Sequence, residues 1–413
     1  MFARLNSLEA QFTAREPSLQ AYVPETKRFS RLRGEVMALE ALYPDTHHRP
    51  SLFGLFLGVK DIFHVNGFPT RAGSEIPPET LTGPEGDAIM RLKAAGALVV
   101  GKTVTTQFAY FAPGPTRNPH HPAHTPGGSS SGSAAAVAAE LCDIALGTQT
   151  IGSINRPAAF CGVIGFKPSY DRIPRTGVIP LSPSVDHVGL FSRTLPHLEQ
   201  AASVVCDLWT PPDKTRRPVL GIPEGPYLSY AEPEGLEHFW RTVARLEQAG
   251  FSVHRVPLMS DFAEISQRHH LIVAYDAALV HQEWFARYEP LYHPKTAELI
   301  RRGQQIPEAV YLNALEGRAQ LRHELTSQMK THGVDLWLSP SAPGPAPRGL
   351  ESTGNPVMNL PWTHAGLPTL TLPAGKNSYN LPLGLQLTAG WYEDERLIAW
   401  ANLLDPLLLH LNK

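Results

Sequence analysis

Nowhere does the chain carry five consecutive basic residues, and 36 Lys and Arg stand against 38 Asp and Glu for a net charge of −2. That balance argues against a nucleic-acid groove or an anionic membrane surface as the main partner. No apolar run approaches the roughly 18 residues that a membrane-spanning helix needs. The opening stretch M-F-A-R-L-N-S-L-E-A-Q-F lacks the uninterrupted apolar core of a signal peptide. Cysteine is scarce, and Cys142, Cys161 and Cys206 make an odd set that does not read as a disulfide framework. Together these absences lead to the expectation of a soluble, reduced, cytoplasmic protein. Internal repeats and low-complexity linkers are also missing, so nothing divides the 413 residues into independent units.

Hydrophobic residues make up 42% of the chain and charged residues 18%, enough apolar material for a large core. The 39 prolines imply many ordered turns rather than a helical bundle. Apolar segments at 52–59, 97–100, 143–146, 217–223, 251–256, 335–340, 369–373 and 384–388 predict strands. Between them, a helix is expected from Asp87, as its cap, to about Ala95, stopped by Gly96. A second is expected over 234–249, with Leu236, Phe239, Trp240, Val243 and Leu246 on one face and Gly250 as its stop. An opening helix is expected around 3–14. This alternation predicts an α/β fold, a single large domain whose central mixed β-sheet is covered by helices on both faces.

Residues 126–133, P-G-G-S-S-S-G-S, look like a flexible linker until the following A-A-A-V-A-A is read. A serine run entering a segment of high helix propensity needs a structural or chemical reason. Further on, the apolar strand D-I-A-L (143–146) leads into a loop containing Gly152-Ser153. A serine at a tight strand-end loop suits a nucleophile, because nearby backbone N–H groups can face a developing oxyanion. The pattern is not G-x-S-x-G, so an α/β-hydrolase elbow is not indicated. No histidine motif offers a base, but Lys60 ends an apolar strand, where desolvation would lower its pKa and let it accept a proton.

Three blocks, G-V-K-D (58–61), P-G-G-S-S-S-G-S-A-A-A-V-A (126–138) and G-T-Q-T-I-G-S-I-N-R-P-A-A-F-C-G-V-I-G-F-K-P (147–168), resemble the amidase signature family. The run G-L-P-T-L-T-L-P-A-G…L-P-L-G-L-Q-L (366–387) is similar to that family's closing block. The resemblance implies an N-terminal helical and loop segment over 1–50 and an amidase signature domain over 51–413. It implies a Ser-Ser-Lys triad, with Ser153 as nucleophile, Ser129 as bridging serine after a cis peptide bond, and Lys60 as base. It places an oxyanion hole at the backbone N–H groups of Thr150, Ile151, Gly152 and Ser153. Asp61, Gly127, Gly128, Gln149 and Arg156 are expected to support the site, and Ser130, Ser131 and Ser133 to hydrogen-bond at the helix entry. Three positions depart from the family pattern. Gln149 replaces the usual aspartate, Ile151 replaces a glycine, and the arginine two residues beyond the nucleophile appears one later, as Arg156. A β-branched residue disfavours positive φ, so Ile151 is expected to have an ordinary φ and keep its N–H available.

The function expected from these features is a stand-alone hydrolase that cleaves the C–N bond of a small, apolar carboxamide through a Ser153 acyl-enzyme, with esters or carbamates also open to the chemistry. Its expected partner is that small-molecule amide, with no nucleic acid, no membrane and no cofactor; homo-oligomerisation stays open. One alternative is the glutaminase subunit of a tRNA-dependent amidotransferase, which would need partner subunits and a place for glutamine's charged ends. Another is an inactive scaffold of the same fold. His120, His121 and His124 are close in sequence, but without further ligands they are not expected to hold a metal. Cys161 reads as a small buried residue. Phe108, Tyr110 and Phe111 fit core or pocket equally well, and Asn359 and Trp362 are expected to face the pocket.

Overall fold

In the computed structural model, which describes residues 1–212 and 216–409, the described residues form ten strands in one mixed sheet. In chain order they are β1 (Phe56–Lys60), β2 (Leu98–Thr103), β3 (Ile144–Gln149), β4 (Ile164–Lys167), β5 (His187–Ser192), β6 (Leu220–Glu224), β7 (Val253–Pro257), β8 (Leu336–Pro340), β9 (Thr369–Lys376) and β10 (Pro382–Thr388). Their spatial order is β2-β1-β3-β5-β4-β9-β10-β8-β6-β7. β2, β1 and β3 run parallel, β5, β4, β9, β10 and β8 pair antiparallel in turn, and β8, β6 and β7 are parallel again.

Alternation along the strands sends side chains to two separate cores. Leu57, Val59, Val99, Ile144, Leu146 and Leu190 face one core, which the helices Asp87–Ala94 and Leu195–Val205 cover with Ile89, Leu92, Leu198 and Val205. Their neighbours Phe56, Leu98, Val100, Ala145 and Phe191 face the other. That face is covered by the N-terminal helices Phe2–Leu19 and Arg28–Leu42 and by the two short helices Ser131–Ala138 and Asn155–Cys161. Helices therefore flank the sheet on both sides, and the strands are buried almost throughout except the edge strand β7, where only Val256 is buried.

Several boundaries differ from the sequence expectation. Residues 52–55 turn instead of extending, because Gly54 adopts φ +74° and Leu55 N–H bonds back to Leu52 O at 3.0 Å. The opening helix runs to Leu19, its apolar residues Leu5, Leu8, Phe12 and Leu19 buried. Asp87 does not cap its helix: Gly86 holds that position and Asp87 lies in the first turn, where its charge suits the N-terminal end of the helix dipole. On the helix Pro233–Gln248, Phe239, Val243 and Leu246 are buried while Leu236 and Trp240 are partly so. All three cysteines are buried and unpaired, and no described helix is long and apolar enough to cross a membrane.

Candidate active site

Because β1 and β3 are parallel neighbours, their carboxyl ends come out at the same edge of the sheet, the usual place for a site in such folds. Lys60 ends β1 fully buried. Its Nζ lies 2.7 Å from Ser129 Oγ, 2.7 Å from Thr148 Oγ1 and 3.4 Å from Thr148 O. Among the described residues it makes no ion pair. Burial pushes its pKa well below the ordinary lysine value, and the negative charge of Asp186 opposes that more weakly.

The serine run is the turn that brings Ser129 to this lysine. Gly127 has φ +84°, and a Cβ there would meet Pro157 Cα at 2.8 Å, so glycine is required. The Gly128–Ser129 peptide bond is cis. The other serines staple the helix to the sheet. Ser130 Oγ donates to Thr148 O at 3.2 Å, Ser131 Oγ to Val104 O at 3.3 Å and Ser133 Oγ to Leu146 O at 2.8 Å.

Beyond β3, the loop 150–153 is held by its carbonyls. Thr150 O faces His269 Nε2 at 3.0 Å, Ile151 O accepts from Thr363 Oγ1 at 2.7 Å, and Gly152 O accepts from Arg156 N–H at 3.0 Å. Because a carbonyl only accepts, His269 Nε2 carries the proton, and its Nδ1 faces His364 Nδ1 at 3.4 Å. Burial holds both histidines toward the neutral form, His364 down to about 3. By contrast, none of the four N–H groups of Thr150, Ile151, Gly152 and Ser153 donates to an acceptor among the described residues. Ile151 does not have a positive φ, in line with the expectation, and its side chain lines the crevice beside Ser153. At Gly152 a Cβ would sit 2.3 Å from Asn359 Oδ1, which excludes a larger residue.

Gln149 fastens the underside of this loop. Its Oε1 accepts from Ile154 N–H at 2.7 Å and Asn155 N–H at 3.0 Å, while its Nε2 donates to Asn155 Oδ1 and Thr363 Oγ1, both at 2.9 Å. A neutral amide pair, Gln149 with Asn155, thus stands where the family resemblance implies an aspartate and an arginine. Arg156 does not join it. Its Nη2 turns to Gly128 O at 2.6 Å and Thr353 Oγ1 at 3.1 Å.

Ser129, the loop 150–153 and Arg156 line one narrow crevice of about 10 Å³. It shares Tyr110, Phe111 and Pro356 with a cavity of about 450 Å³, and Ala109, Thr150 and Leu181 with another of about 360 Å³. Ser153, which lines this crevice, is 7% exposed.

Other expected residues separate clearly. Asp61 pairs with Lys102 Nζ at 2.7 Å and accepts from Arg71 N–H at 3.2 Å, so it braces the base of β1 and not Lys60. Tyr110 and Phe111 line the crevice, whereas Phe108 packs among His281, Trp284 and Tyr292. Trp362 and Asn359 do not face the crevice as expected. Trp362 is core, its Nε1 donating to Tyr227 Oη at 3.0 Å, and Asn359 Nδ2 bonds Ser341 O and Gln386 Oε1. His120 faces Cys161 O at 2.8 Å and His121 packs edge-on against His124. No described group of three His, Cys, Asp or Glu side chains is placed to hold a metal ion. Cys161 is fully buried and its thiol pKa is pushed up by desolvation. Sequence reasoning missed Thr148, which receives Lys60, and also Asp186 and His269, which hold Thr150. Thr148 lies inside the G-T-Q block, where its adjacency to Gln149 was a usable signal; the other two come from distant segments and gave none.

The Amidase family model matches residues 19–398. The chain is 30% identical to the A subunit of glutamyl-tRNA(Gln) amidotransferase from Synechococcus sp. strain RCC307, covering 95% of this chain and 91% of that protein. It is 34% identical to the protein of the same name from Thermus thermophilus, over 84% of this chain and 83% of the relative. Among solved structures, one described as the crystal structure of an amidase superposes with a TM-score of 0.88 at 32% identity, covering 99% of this chain and 95% of that one. These relatives overturn the expectation of a stand-alone enzyme for a small carboxamide, and with it that of a small-molecule partner and no nucleic acid. The alternative set beside it, the glutaminase component of an amidotransferase, is the better supported. Composition misled here because net charge describes only this chain's own surface. The match across 19–398, together with relatives at 30% identity and above over most of the chain, establishes that this protein belongs to the amidase family.

Proposed function

We propose that the chain is the glutamine-deamidating component of a tRNA-dependent amidotransferase, with Ser153 as nucleophile, Ser129 as proton bridge and Lys60 as base. The observation that carries this reading is the end-to-end likeness to the A subunits of glutamyl-tRNA(Gln) amidotransferases, 30% identical over 95% of this chain. The geometry supports the chemistry. A neutral Lys60 amine has one lone pair for the Ser129 hydroxyl proton and two N–H groups for Thr148 Oγ1 and O, which matches its three neighbours.

Ser153 Oγ attacks the amide carbon while its proton passes to Ser129 Oγ and the Ser129 proton passes to Lys60 Nζ. The oxyanion meets the unpaired N–H groups of the loop 150–153, a contribution of the kind that is worth about 10²–10³ in rate per donor. Protonated Lys60 then returns a proton through Ser129 to the departing nitrogen, which leaves as ammonia, and water hydrolyses the acyl ester by the reverse relay. The absence of a positive φ at Ile151 supports an available N–H in the loop and weighs against the inactive-scaffold alternative. Any nucleic-acid contact would be made by the assembled enzyme, so a net charge of −2 on this chain is compatible with it.

Ammonia release from L-glutamine, measured for the chain alone and for whatever proteins co-purify with it, with and without glutamyl-tRNA(Gln), tests this directly. The expected result is release that Ser153→Ala abolishes and that partner subunits increase. No turnover of glutamine in either form, with no partner co-purifying, would refute the reading.

A further inference from the structure

Three successive carbonyls of the loop 150–153 are held from behind, each by a different group. His269 Nε2 holds Thr150 O at 3.0 Å, Thr363 Oγ1 holds Ile151 O at 2.7 Å and the Arg156 N–H holds Gly152 O at 3.0 Å. In a trans peptide the C=O and the following N–H point in opposite directions, and these peptides are trans. Fixing the three carbonyls therefore turns the N–H groups of Ile151, Gly152 and Ser153 to the other side of the loop. There none of them finds an acceptor among the described residues. The hold on Thr150 O depends on one residue: His269 is the only donor to that oxygen among the described residues, and it comes from the helix Phe262–Val280, outside the serine motifs.

His269 is fully buried. With the proton on Nε2, the Nδ1 of the neutral ring is an acceptor, so the group facing it at 3.4 Å, His364 Nδ1, is the donor. His364 Nε2 is buried with no partner, so a proton placed there would go unsatisfied, and the Nδ1–H form suits His364 as well. The opposite tautomer of His269 would set a lone pair against Thr150 O. His364 thus selects the tautomer that holds the loop. It lies next to Thr363 on the helix Leu360–Ala365, so one short helix braces two consecutive carbonyls, one directly and one through His269. Arg318 Nε and Arg322 Nε fix the end of that helix, on His364 O at 3.1 Å and Ala365 O at 2.8 Å. Other buried histidines serve their own surroundings: His187 Nδ1 faces Val185 O, and His281 Nδ1 faces Tyr292 Oη.

We propose that His269, with its tautomer set by His364, is a positioning residue: by holding the Thr150 carbonyl from behind, it keeps the Ile151 N–H aimed at the oxygen of the reacting acyl group. This rests on the Ser153 acyl-transfer chemistry proposed above and deepens it. Without the hold, the Thr150–Ile151 peptide can turn its plane, and a donor toward the oxyanion gives way to a carbonyl oxygen. The oxyanion exists only after Ser153 has attacked, so the effect belongs to kcat and not to KM.

The test is the second-order rate at which a fluorophosphonate labels Ser153, because its phosphonyl oxygen enters the same place as the oxyanion, read beside ammonia release from L-glutamine. In His269→Phe, which keeps a ring but no donor, labelling and kcat are both expected to fall about tenfold to a hundredfold, with KM nearly unchanged. That is less than the loss of a whole oxyanion donor, which costs about 10²–10³ in rate. His269→Gln, whose amide N–H can reach the same carbonyl, is expected to recover most of the loss. His364→Phe is expected to slow labelling several-fold by itself and to add nothing to His269→Gln, because an amide has no tautomer to select. Equal labelling of the wild type and His269→Phe, or His269→Gln as slow as His269→Phe, overturns the proposal. Should His269→Phe not fold, the two His364→Phe backgrounds decide, and equal slowing in both overturns it. Wild-type labelling of Ser153 without glutamine turnover removes the glutamine reading, while a fall in labelling in His269→Phe still upholds His269. Glutamine turnover with no change in either rate in His269→Phe does the reverse. A wild type that is not labelled at Ser153 overturns both.

Discussion

Two lysines sit on adjacent parallel strands, one residue out of step in the register, and they have opposite surroundings. Lys60 ends β1 opposite Thr103, and Lys102 lies on β2 opposite Val59. Both are buried, at 0% and 3% exposure. Lys102 Nζ touches Asp61 at 2.7 Å, and that carboxylate offsets part of the lowering that burial imposes on its pKa. Lys60 meets only hydroxyls and a carbonyl, and its pKa falls well below the ordinary value. Burial therefore does not by itself make a base. In the proposed mechanism the absence of an ion-pair partner beside Ser129 suits Lys60 to act as base, and the sequence K-D at 60–61 is deceptive because the aspartate next to Lys60 serves the other lysine.

Replacement of the two lysines breaks the comparison most sharply. Lys60→Met is expected to lower kcat by about 10⁴-fold or more while the protein stays folded, as removal of a triad member does elsewhere. Lys102→Met should leave the activity of the folded fraction nearly intact but cost about 3–5 kcal/mol of stability, because Asp61 is left buried and unpaired. Denaturant unfolding of both variants beside ammonia release separates the two effects.

A second prediction concerns pH. In the proposed mechanism the active form of Lys60 is neutral, and burial lowers its folded pKa, so kcat/KM is expected to fall on the acid side as pH drops through that pKa. The limb lies well below an ordinary lysine's 10.5, and its appearance near 10.5 in a pH profile would contradict the assignment. A smaller effect belongs to Thr148, which takes two of the three Lys60 contacts. Thr148→Val removes only the hydroxyl, and a roughly tenfold to hundredfold fall in kcat is expected, with a shifted acid limb. Smallest is the brace under the loop: Gln149→Leu leaves Ile154 and Asn155 N–H unpaired, and a loss of about 1–3 kcal/mol on thermal or denaturant unfolding is expected.

The α/β class and eight of the ten strands were legible because strand and helix periodicity is local. By contrast, β4 and β5, short strands at the centre of the sheet, and the helices Arg28–Leu42, Leu195–Val205, Phe262–Val280 and Glu308–His332 were not anticipated. The boundaries that moved did so for local reasons the pattern did not weigh, as at Gly54, where a positive φ keeps the segment before Phe56 out of the expected strand. At the site, Lys60, Ser129 and the loop 150–153 were visible because each lies in a contiguous motif. Arg156 was visible as a residue but not in its direction, since nothing in G-S-I-N-R-P says that Asn155 takes the brace and leaves the arginine to the crevice. Asp186, His269 and Thr363 meet their partners in the loop from 36 or more residues away in sequence and carry no motif, so only the fold reveals them. The partner expectation failed for a different reason, because an assembly is not a property of one chain's composition.

The most direct test of the central claim, that Ser153 is activated by a neutral Lys60, is the rate at which a fluorophosphonate labels the protein across pH, with the adduct located by mass spectrometry. The account requires one adduct, on Ser153, forming at a rate that falls on the acid side through a pKa well below 10.5 and that is lost in Lys60→Met while persisting in Lys102→Met. Labelling at another residue, or undiminished labelling of Ser153 in Lys60→Met, would contradict it.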